Sequence, residues 1–199
     1  MTGQVSSVVL GAGLMGRLLA YKLAQLGHDV VVYEAQGSNA EGAAARVAAA
    51  MLAPLAESAI TELAVVRMGH YGLTRWPALI DPLPAPVFFQ QNGTLVLWHR
   101  QDAAEAKRFS LMLARSQQQL PCLQPVQLLD SASVRAHEPA VSSSFDQAMY
   151  LPGEAQLDNR QLLDALLQGM NEQGVHVLWN TPRSVDDFKP GQAGQPDWV

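Results

Sequence analysis

The chain has 199 residues, of which 48% are apolar, a proportion typical of a folded protein rather than a disordered one. Its 13 Lys and Arg against 18 Asp and Glu give a net charge of −5 without any basic run, which argues against nucleic acid and anionic membranes as partners. Cys122 is the only cysteine, so an intrachain disulfide and a thiolate zinc site built from this chain are excluded.

No targeting signal is evident in the sequence. The N-terminal stretch MTGQVSSVVLGAG has no cationic residue, and glycines break its apolar run, so it does not resemble an export signal. Residues 42–68 are the longest apolar-rich region, but Arg46, Pro54 and Glu57 interrupt it well short of the ~20 apolar residues that a spanning helix needs. We therefore expect a cytoplasmic protein with no membrane partner.

Residues 5–34 are predicted to form a strand, a helix and a second strand. A short apolar run at 8–10 is followed by a glycine-rich turn and then by leucines at helical spacing that end at Gly27. Residues 30–33 are a continuous β-branched and aromatic run, typical of a strand that is buried in a parallel sheet. The pattern predicts the βαβ beginning of a Rossmann-like α/β domain.

The composition of the following segment differs from that of residues 5–34. Residues 43–51 and 57–68 are rich in Ala and Leu, which predicts two helices with a break at Pro54. Residues 76–86 contain four prolines, which predicts an extended connector instead of a helix. We expect a second domain to begin at this connector.

A β-hairpin is the next predicted feature. Residues 87–91 and 94–98 flank Asn92-Gly93, a pair that tolerates positive φ at both central positions of a tight turn. This is the strongest short-range hairpin signal in the chain, and it predicts the start of an antiparallel sheet.

Two later helices are predicted from their first residues. Asp102 with Glu105 resembles a capping box for a helix that runs toward Gln119, and Asp158 with Gln161 resembles one for a second helix. The second helix has its large apolar side chains on one face: Leu162, Leu163, Leu166, Leu167 and Met170.

The end of the chain is predicted to return to the first sheet. Residues 148–151 and 175–179 have strand patterns, and Gly174 ends the helix between them. Residues 197–199 look like the start of a further strand, and a chain that stopped there would leave a sheet edge unpaired. We therefore expect the N-terminal part of a longer protein.

A dinucleotide-binding fingerprint occupies the first turn. Gly11, Gly13 and Gly16 form GxGxxG between strand and helix, and Glu34 ends the next strand 21 residues after Gly13. The first glycine permits the tight turn, the second lets the backbone approach a pyrophosphate, and the third allows close helix packing. The helix N-terminus then holds the phosphates. Glu34 would accept hydrogen bonds from the ribose hydroxyls and disfavour the 2′-phosphate of NADP.

NAD and FAD share this fingerprint, so the choice between them depends on the order of the later elements. An NAD domain normally continues with short alternating strands and helices. This chain runs instead through an Ala-rich helix, a Pro-rich connector and antiparallel strands before it returns to the first sheet near Val175. The order favours FAD, and an NAD-linked dehydrogenase stays open as an alternative.

Several segments together carry a family resemblance: VVLGAGLMGRLLAYKLAQLGHDVVVYE, AARVAAAMLAP, NGTLVL, and LPGEAQLDNRQLLDALL followed by GVHVLWNTP. This combination resembles the N-terminal half of the D-amino-acid oxidase group of FAD-dependent oxidases, in particular its glycine oxidases of thiamine biosynthesis. The resemblance implies an incomplete glutathione-reductase-like flavoprotein fold. Residues 1–75 and 153–199 would belong to the FAD-binding domain, and residues 76–152 to an antiparallel substrate domain.

The resemblance also implies which positions contact FAD: Gly11, Gly13, Leu14, Met15, Gly16, Glu34, Ala35, Ala44, Ala45, Ala49, Ala50, Met51 and Arg183. The first five would hold the pyrophosphate, the next two the adenosine ribose, and the segment that ends at Met51 would pass beside the flavin. Arg183 falls where the family usually has a Val that contacts adenine through its backbone. Two departures from the family pattern are Arg46, in place of a small polar residue, and Ala50, in place of a glycine.

The implied activity is the oxidation of a small amine or amino acid by FAD and molecular oxygen, which yields an oxo acid, ammonia and hydrogen peroxide. The Arg and Tyr that grip the substrate carboxylate belong to the C-terminal half of the family, so no catalytic residue is expected in this chain, and we expect it to be inactive alone. The substrate stays open among glycine, sarcosine, D-amino acids and a modified-tRNA amine, as does homo-oligomerisation. A non-catalytic FAD-binding module is a further alternative.

The remaining reactive side chains indicate no other chemistry. The five histidines lack the paired spacing of a metal site. Cys122 has no basic partner nearby in the sequence, and residues 142–144 lack the context of a nucleophile elbow.

Overall fold

The computed structural model describes residues 5–199. Residues 1–4, the first residues of the stretch that does not resemble an export signal, lie outside the described residues. The chain divides into two compact units. The first contains residues through Ala50, Leu79–Phe88 and Asp158–Val199, and the second contains Met51–Ala78 and Phe89–Leu157.

The strands are β1 (Ser6–Leu10), β2 (Asp29–Tyr33), β3 (Met51–Leu52), β4 (Phe89–Gln90), β5 (Thr94–Leu97), β6 (Gln127–Asp130), β7 (Gln147–Leu151), β8 (Ala155–Leu157) and β9 (His176–Leu178). The helices are α1 (Leu14–Gln25), α2 (Ala44–Val47), α3 (Pro54–Glu57), α4 (Leu63–Leu73), α5 (Trp76–Ile80), α6 (Ala103–Gln119), α7 (Ser131–His137) and α8 (Asn159–Glu172). No helix in the described part of the chain is long and apolar enough to span a membrane.

The first unit is built on a parallel sheet in the order β1-β2-β9. Val8 lies opposite Val31, and Val32 lies opposite Val177. On the other side of β1, the carbonyl of Trp198 accepts a 2.8 Å hydrogen bond from the amide of Val8. The predicted βαβ start, the return of the chain near Val175 and the strand-like end are all confirmed.

The buried faces of α1 and α8 form much of the core of the first unit. Leu162, Leu163 and Leu166 are at most 1% exposed, as the apolar face predicted for this helix requires. Burial of each such side chain contributes about 1.5–3 kcal/mol. The carboxylate of Asp158 caps α8 by accepting hydrogen bonds from the amides of Arg160 and Gln161, each 2.9 Å long.

The second unit contains two antiparallel sheets, in the orders β3-β8-β4 and β5-β7-β6. The predicted hairpin at Asn92-Gly93 is wrong, because β4 pairs with β8 whereas β5 pairs with β7. Gly93 does have a positive φ of 80°, but its amide donates to the carbonyl of Glu154, at 3.0 Å, instead of closing a turn. Residues 91–93 form no turn, and Asn92 lacks the positive φ that the prediction required; β4 and β5 pair instead with strands of the later β7–β8 segment.

The helices between the two predicted sheets also differ from expectation. The predicted helix at 43–51 is only the single turn Ala44–Val47, because Ala50 has a positive φ of 57° that a helix cannot accommodate. Pro54 begins α3 rather than breaking a helix, since the first turn of a helix needs no amide from that residue. The same reason lets Pro77 stand in the first turn of α5, where an extended connector was predicted.

Asp102 does not form the predicted capping box. It lies at the N-terminus of α6, as predicted, but its side chain accepts no capping hydrogen bond among the described residues. The three residues 100–102 instead form a 3-10 turn that leads into the helix, so the chain enters α6 without a capping box.

Candidate dinucleotide site

The glycine fingerprint forms a tight turn between β1 and α1. Gly11 has a φ of 95°, and its amide donates a 2.8 Å hydrogen bond to the carbonyl of Tyr33. A Cβ added to Gly16 would lie 1.9 Å from the carbonyl oxygen of Gly11, so only glycine allows α1 to pack this closely on the turn.

The N-terminus of α1 is left open for an anion. Gly13 is the N-cap residue and has no side chain that could satisfy the amides of the first turn. Leu14, Met15 and Gly16 form that turn, and the side chain of Met15 is 76% exposed. Free N–H groups together with the positive end of the helix dipole favour a phosphate at this place.

Glu34 stands directly after β2, beside this turn. Its Oε2 accepts a 2.5 Å hydrogen bond from the amide of Ala12, and its Oε1 accepts a 2.9 Å bond from the amide of Gln36. Its backbone continues the pairing with the β9 side of the sheet through Leu178 and Thr181. The carboxylate is therefore held in one orientation while each oxygen keeps a lone pair for a further donor.

Glu34 and the fingerprint turn border a groove of about 300 Å³. Its lining consists mostly of small residues: Ala12, Gly13, Glu34, Ala35, Gln36, Ala40, Gly42 and Ala43. Small side chains leave the backbone accessible, as close contact with a diphosphate requires. Three of the predicted positions, Gly13, Glu34 and Ala35, thus meet in one groove.

The predicted positions Ala44 and Ala45 come after the groove residue Ala43 as the first residues of α2. Side chains at the start of α8 hold this segment. The Nδ2 of Asn159 donates to the carbonyls of Ala45 and Ala48, the latter at 2.8 Å. The guanidinium of Arg160 donates through Nε to the carbonyl of Arg46, at 3.3 Å. Neither contact was predicted from the sequence, because a residue beside a helix cap gives no sign of a partner over one hundred positions away.

Ala49 and Ala50 come after α2 and end the first segment of the first unit. The φ of Ala50 is 57°, in the left-handed region that favours glycine. The glycine that the family resemblance implies at this position thus has a physical explanation, since the backbone here takes a conformation that costs an L-residue about 1–2 kcal/mol.

Met51 and Arg183 are not among the residues that line this groove. Met51 is half-exposed and belongs to the second unit, where it pairs with Gln156. Arg183 lines a different surface groove of the first unit, of about 610 Å³, and its guanidinium lies 5.7 Å from the centre of the Tyr33 ring.

Arg17 is a functional candidate that was not singled out from the sequence. It is completely buried in α1, and its guanidinium donates to the carbonyls of Ala12, Leu163 and Ser38 at 2.7, 2.8 and 2.7 Å. Burial lowers the pKa of Arg17, and the negative charges of Asp164 and Glu34 oppose that change. An arginine keeps its proton in such a place, so a positive charge is buried beside the fingerprint turn.

The arrangement fits the diphosphate and ribose of FAD. The close approach of Gly16 to Gly11, the uncapped amides of α1 and the fixed carboxylate of Glu34 match the three demands of a bound ADP group. Among residues 5–199, no cluster of three or more His, Cys, Asp and Glu side chains is suited to a metal ion.

Comparison with known proteins agrees with this chemistry. Residues 7–195 match the family described as FAD-dependent oxidoreductases. A Rhizobium etli protein named as the thiamine biosynthesis oxidoreductase ThiO is 31% identical over 170 residues, which are 85% of this chain and 47% of that protein.

Two solved structures share the fold. Glycine oxidase from Geobacillus kaustophilus matches with a TM-score of 0.72 and 22% identity over 88% of this chain and 46% of the other. Iminodiacetate oxidase from Chelativorans sp. BNC1 matches with a TM-score of 0.71 and 22% identity over 87% of this chain and 46% of the other. The chain thus spans about half the length of these relatives.

The fold and the fingerprint therefore define an FAD-binding oxidoreductase chain. The chain belongs to the family of FAD-dependent oxidoreductases that includes D-amino-acid oxidases, and FAD is the cofactor of this family.

Proposed function

We propose that this chain forms the FAD-binding part, with a portion of the substrate domain, of an oxidase that deaminates a small amine or amino acid. The observation that carries the proposal is the groove in which Gly13 and the Glu34 carboxylate lie together at the N-terminus of α1. Family membership supports the cofactor, and the similarity to a glycine oxidase and to a thiamine biosynthesis oxidoreductase supports the substrate class.

In this proposal, the residues of the chain bind the cofactor and orient it. The amides of Leu14, Met15 and Gly16 would hold the diphosphate, and Glu34 would accept hydrogen bonds from the ribose hydroxyls. The small residues Ala44 and Ala45 would let the backbone approach the cofactor. When bound, FAD would supply the redox chemistry: two electrons and two protons would pass from the amine to oxygen, and water would hydrolyse the resulting imine. The sum is an amine, oxygen and water converted to an oxo compound, ammonia and hydrogen peroxide.

Cofactor binding is tested by titrating FAD into the purified chain and following the flavin fluorescence, with NADH titrated in parallel. We expect saturable FAD binding that ADP displaces and no comparable response to NADH. Saturable NADH binding without FAD binding would favour a nicotinamide dehydrogenase and would overturn the proposal.

Substrate oxidation is tested by adding glycine, sarcosine or D-alanine to the FAD-loaded chain and measuring hydrogen peroxide. We expect no turnover from the 199 residues alone, because the resemblance places the groups that grip the substrate carboxylate in the half of the family's chain beyond Val199. A protein extended to the length of its relatives is expected to release peroxide with at least one of these amines. Robust peroxide production by the 199-residue chain would contradict this division of roles.

A further inference from the structure

A buried positive charge lies under the candidate dinucleotide groove. Arg17 is 0% exposed; its guanidinium donates to the carbonyls of Ala12, Ser38 and Leu163 and lies 5.9 Å from the centre of the Trp179 ring. Among residues 5–199, no carboxylate lies within ion-pair distance of its guanidinium. A buried charge without a counter-charge is unfavourable, so a position that keeps one calls for a reason other than stability.

The three carbonyls belong to parts of the first unit that surround the groove. Ala12 lies in the fingerprint turn and itself lines the groove. Ser38 lies in the loop that leads to the groove residues Ala40 and Gly42, and Leu163 lies in α8. One guanidinium therefore ties the turn, the loop and the helix together at fixed distances.

From these observations we infer that Arg17 is a positioning residue for the cofactor diphosphate. Its charge acts through the fingerprint turn on the negative charges of the phosphates, and its hydrogen bonds hold the two walls of the groove at the separation that the diphosphate needs. This inference rests on the proposed function, since it assumes that the groove holds the ADP part of FAD.

The chemistry of the surroundings supports an electrostatic role. The negative charges of Asp164 and Glu34 raise the pKa of Arg17, and the positive charge of Arg46 lowers it. Glu34 is already held by the amides of Ala12 and Gln36 and faces the groove. A bound diphosphate would supply the negative charge that Arg17 lacks, and in a low-dielectric interior such a charge is felt over several ångströms.

The test compares ADP with adenosine, which lacks the phosphates, as ligands of wild type, Arg17→Gln and Arg17→Lys. Removing the charge in Arg17→Gln is expected to weaken ADP binding by about tenfold while the affinity for adenosine changes by less than about twofold. The Arg17→Lys variant keeps the charge and is expected to restore most of the preference for ADP. As a matched control, Lys22→Gln removes a charge from the other end of α1 and should leave both affinities unchanged.

A measurement on the wild-type protein covers the case in which Arg17→Gln does not fold. The Nε–H resonance of the buried Arg17 can be followed by NMR during titration with ADP and with adenosine. We expect a shift with ADP that adenosine does not cause. Equal shifts with both ligands, or equal losses of affinity for both in Arg17→Gln, would show that Arg17 supports the fold alone.

The outcomes separate this inference from the proposed function. If the wild-type chain binds FAD and ADP, but Arg17→Gln binds ADP as tightly as wild type, the groove function stands and the role of Arg17 is refuted. If the wild-type chain binds neither FAD nor ADP, both are overturned.

Discussion

Glu34 and Ala12 are joined by a 2.5 Å hydrogen bond from the backbone amide of Ala12 to the carboxylate of Glu34. The bond connects the end of the second strand to the glycine fingerprint and fixes the carboxylate at the rim of the groove. An acid that is oriented before a ligand arrives loses little entropy on binding, so this contact would prepare Glu34 for the proposed ribose contact.

Replacement of Glu34 tests the ribose contact. Glu34→Gln keeps the shape of the side chain but removes the charge, and a hydrogen bond to a charged group is worth about 1.5–3 kcal/mol. We therefore expect FAD to bind at least about tenfold more weakly, as measured by fluorescence titration. The exposed Glu41→Gln is the matched control, and equal affinities in the two variants would refute the role of Glu34.

The packing of the fingerprint is tested at Gly16. In Gly16→Ala the new Cβ would lie 1.9 Å from the carbonyl oxygen of Gly11, so α1 must move away from the turn. We expect a loss of about 3 kcal/mol in the free energy of unfolding, together with loss of FAD binding. The control is Gly72→Ala, where a Cβ in α4 meets nothing within 4 Å. That variant should be stabilised by about 0.5–1 kcal/mol, and a similar response of both glycines would contradict the packing argument.

The strained backbone at Ala50 predicts a stabilising substitution. Ala50→Gly relieves a positive φ of 57°, and this gain exceeds the entropy that glycine adds to the unfolded chain. We expect the unfolding free energy to rise by about 0.5 kcal/mol in urea titrations. Ala49→Gly, at a neighbour whose φ is not positive, should lower it by a similar amount. Destabilisation by Ala50→Gly would show that the strain is not present in solution.

Glu154 predicts a pH dependence of stability in the second unit. It is 1% exposed, its Oε1 accepts a 2.7 Å hydrogen bond from the amide of Ala56, and its Oε2 has no partner among the described residues. Burial raises the pKa of Glu154 above its ordinary value of 4.5, although the amide of Ala56 acts in the opposite direction. The folded state therefore favours the protonated acid.

The raised pKa fixes the sign of the effect. The contribution of Glu154 to stability is complete below pH 4.5 and is lost as the pH rises through its folded-state pKa. Glu154→Gln keeps an acceptor for Ala56 and cannot ionise. We expect the variant to be more stable than wild type at pH 7 by about 1–3 kcal/mol, with the difference vanishing toward pH 4, in urea unfolding at each pH. The exposed Glu172→Gln is the control. A stability difference between Glu154→Gln and wild type that stays constant from pH 4 to pH 7 would contradict the argument.

Local demands of the backbone are the features that the sequence reveals best. The turn at Gly11, the cap at Asp158 and the end of α8 just before Gly174 each depend on a few neighbouring residues, and each was predicted. The actual partners of β4 and β5 were not predicted. Asn92-Gly93 indicates a hairpin between these two strands, whereas the strands that pair with them, β8 and β7, come from a segment more than fifty residues later.

In the candidate site, too, residues set by local spacing could be predicted and residues set by distant contacts could not. Glu34 could be predicted from its spacing after Gly13, since a strand of fixed length brings it back to the fingerprint. Arg17 could not be recognised, because its burial depends on carbonyls of Ser38 and Leu163 that a single stretch of sequence does not bring together. A charged residue directly after the third glycine, in an otherwise apolar run, was the only signal.

A crystal structure of the chain grown with FAD would decide whether the groove is the cofactor site. We expect electron density for the diphosphate against the amides of Leu14, Met15 and Gly16, with the adenosine ribose hydrogen-bonded to the Glu34 carboxylate. A groove that stays empty at saturating FAD, or FAD bound elsewhere on the chain, would contradict the proposed function.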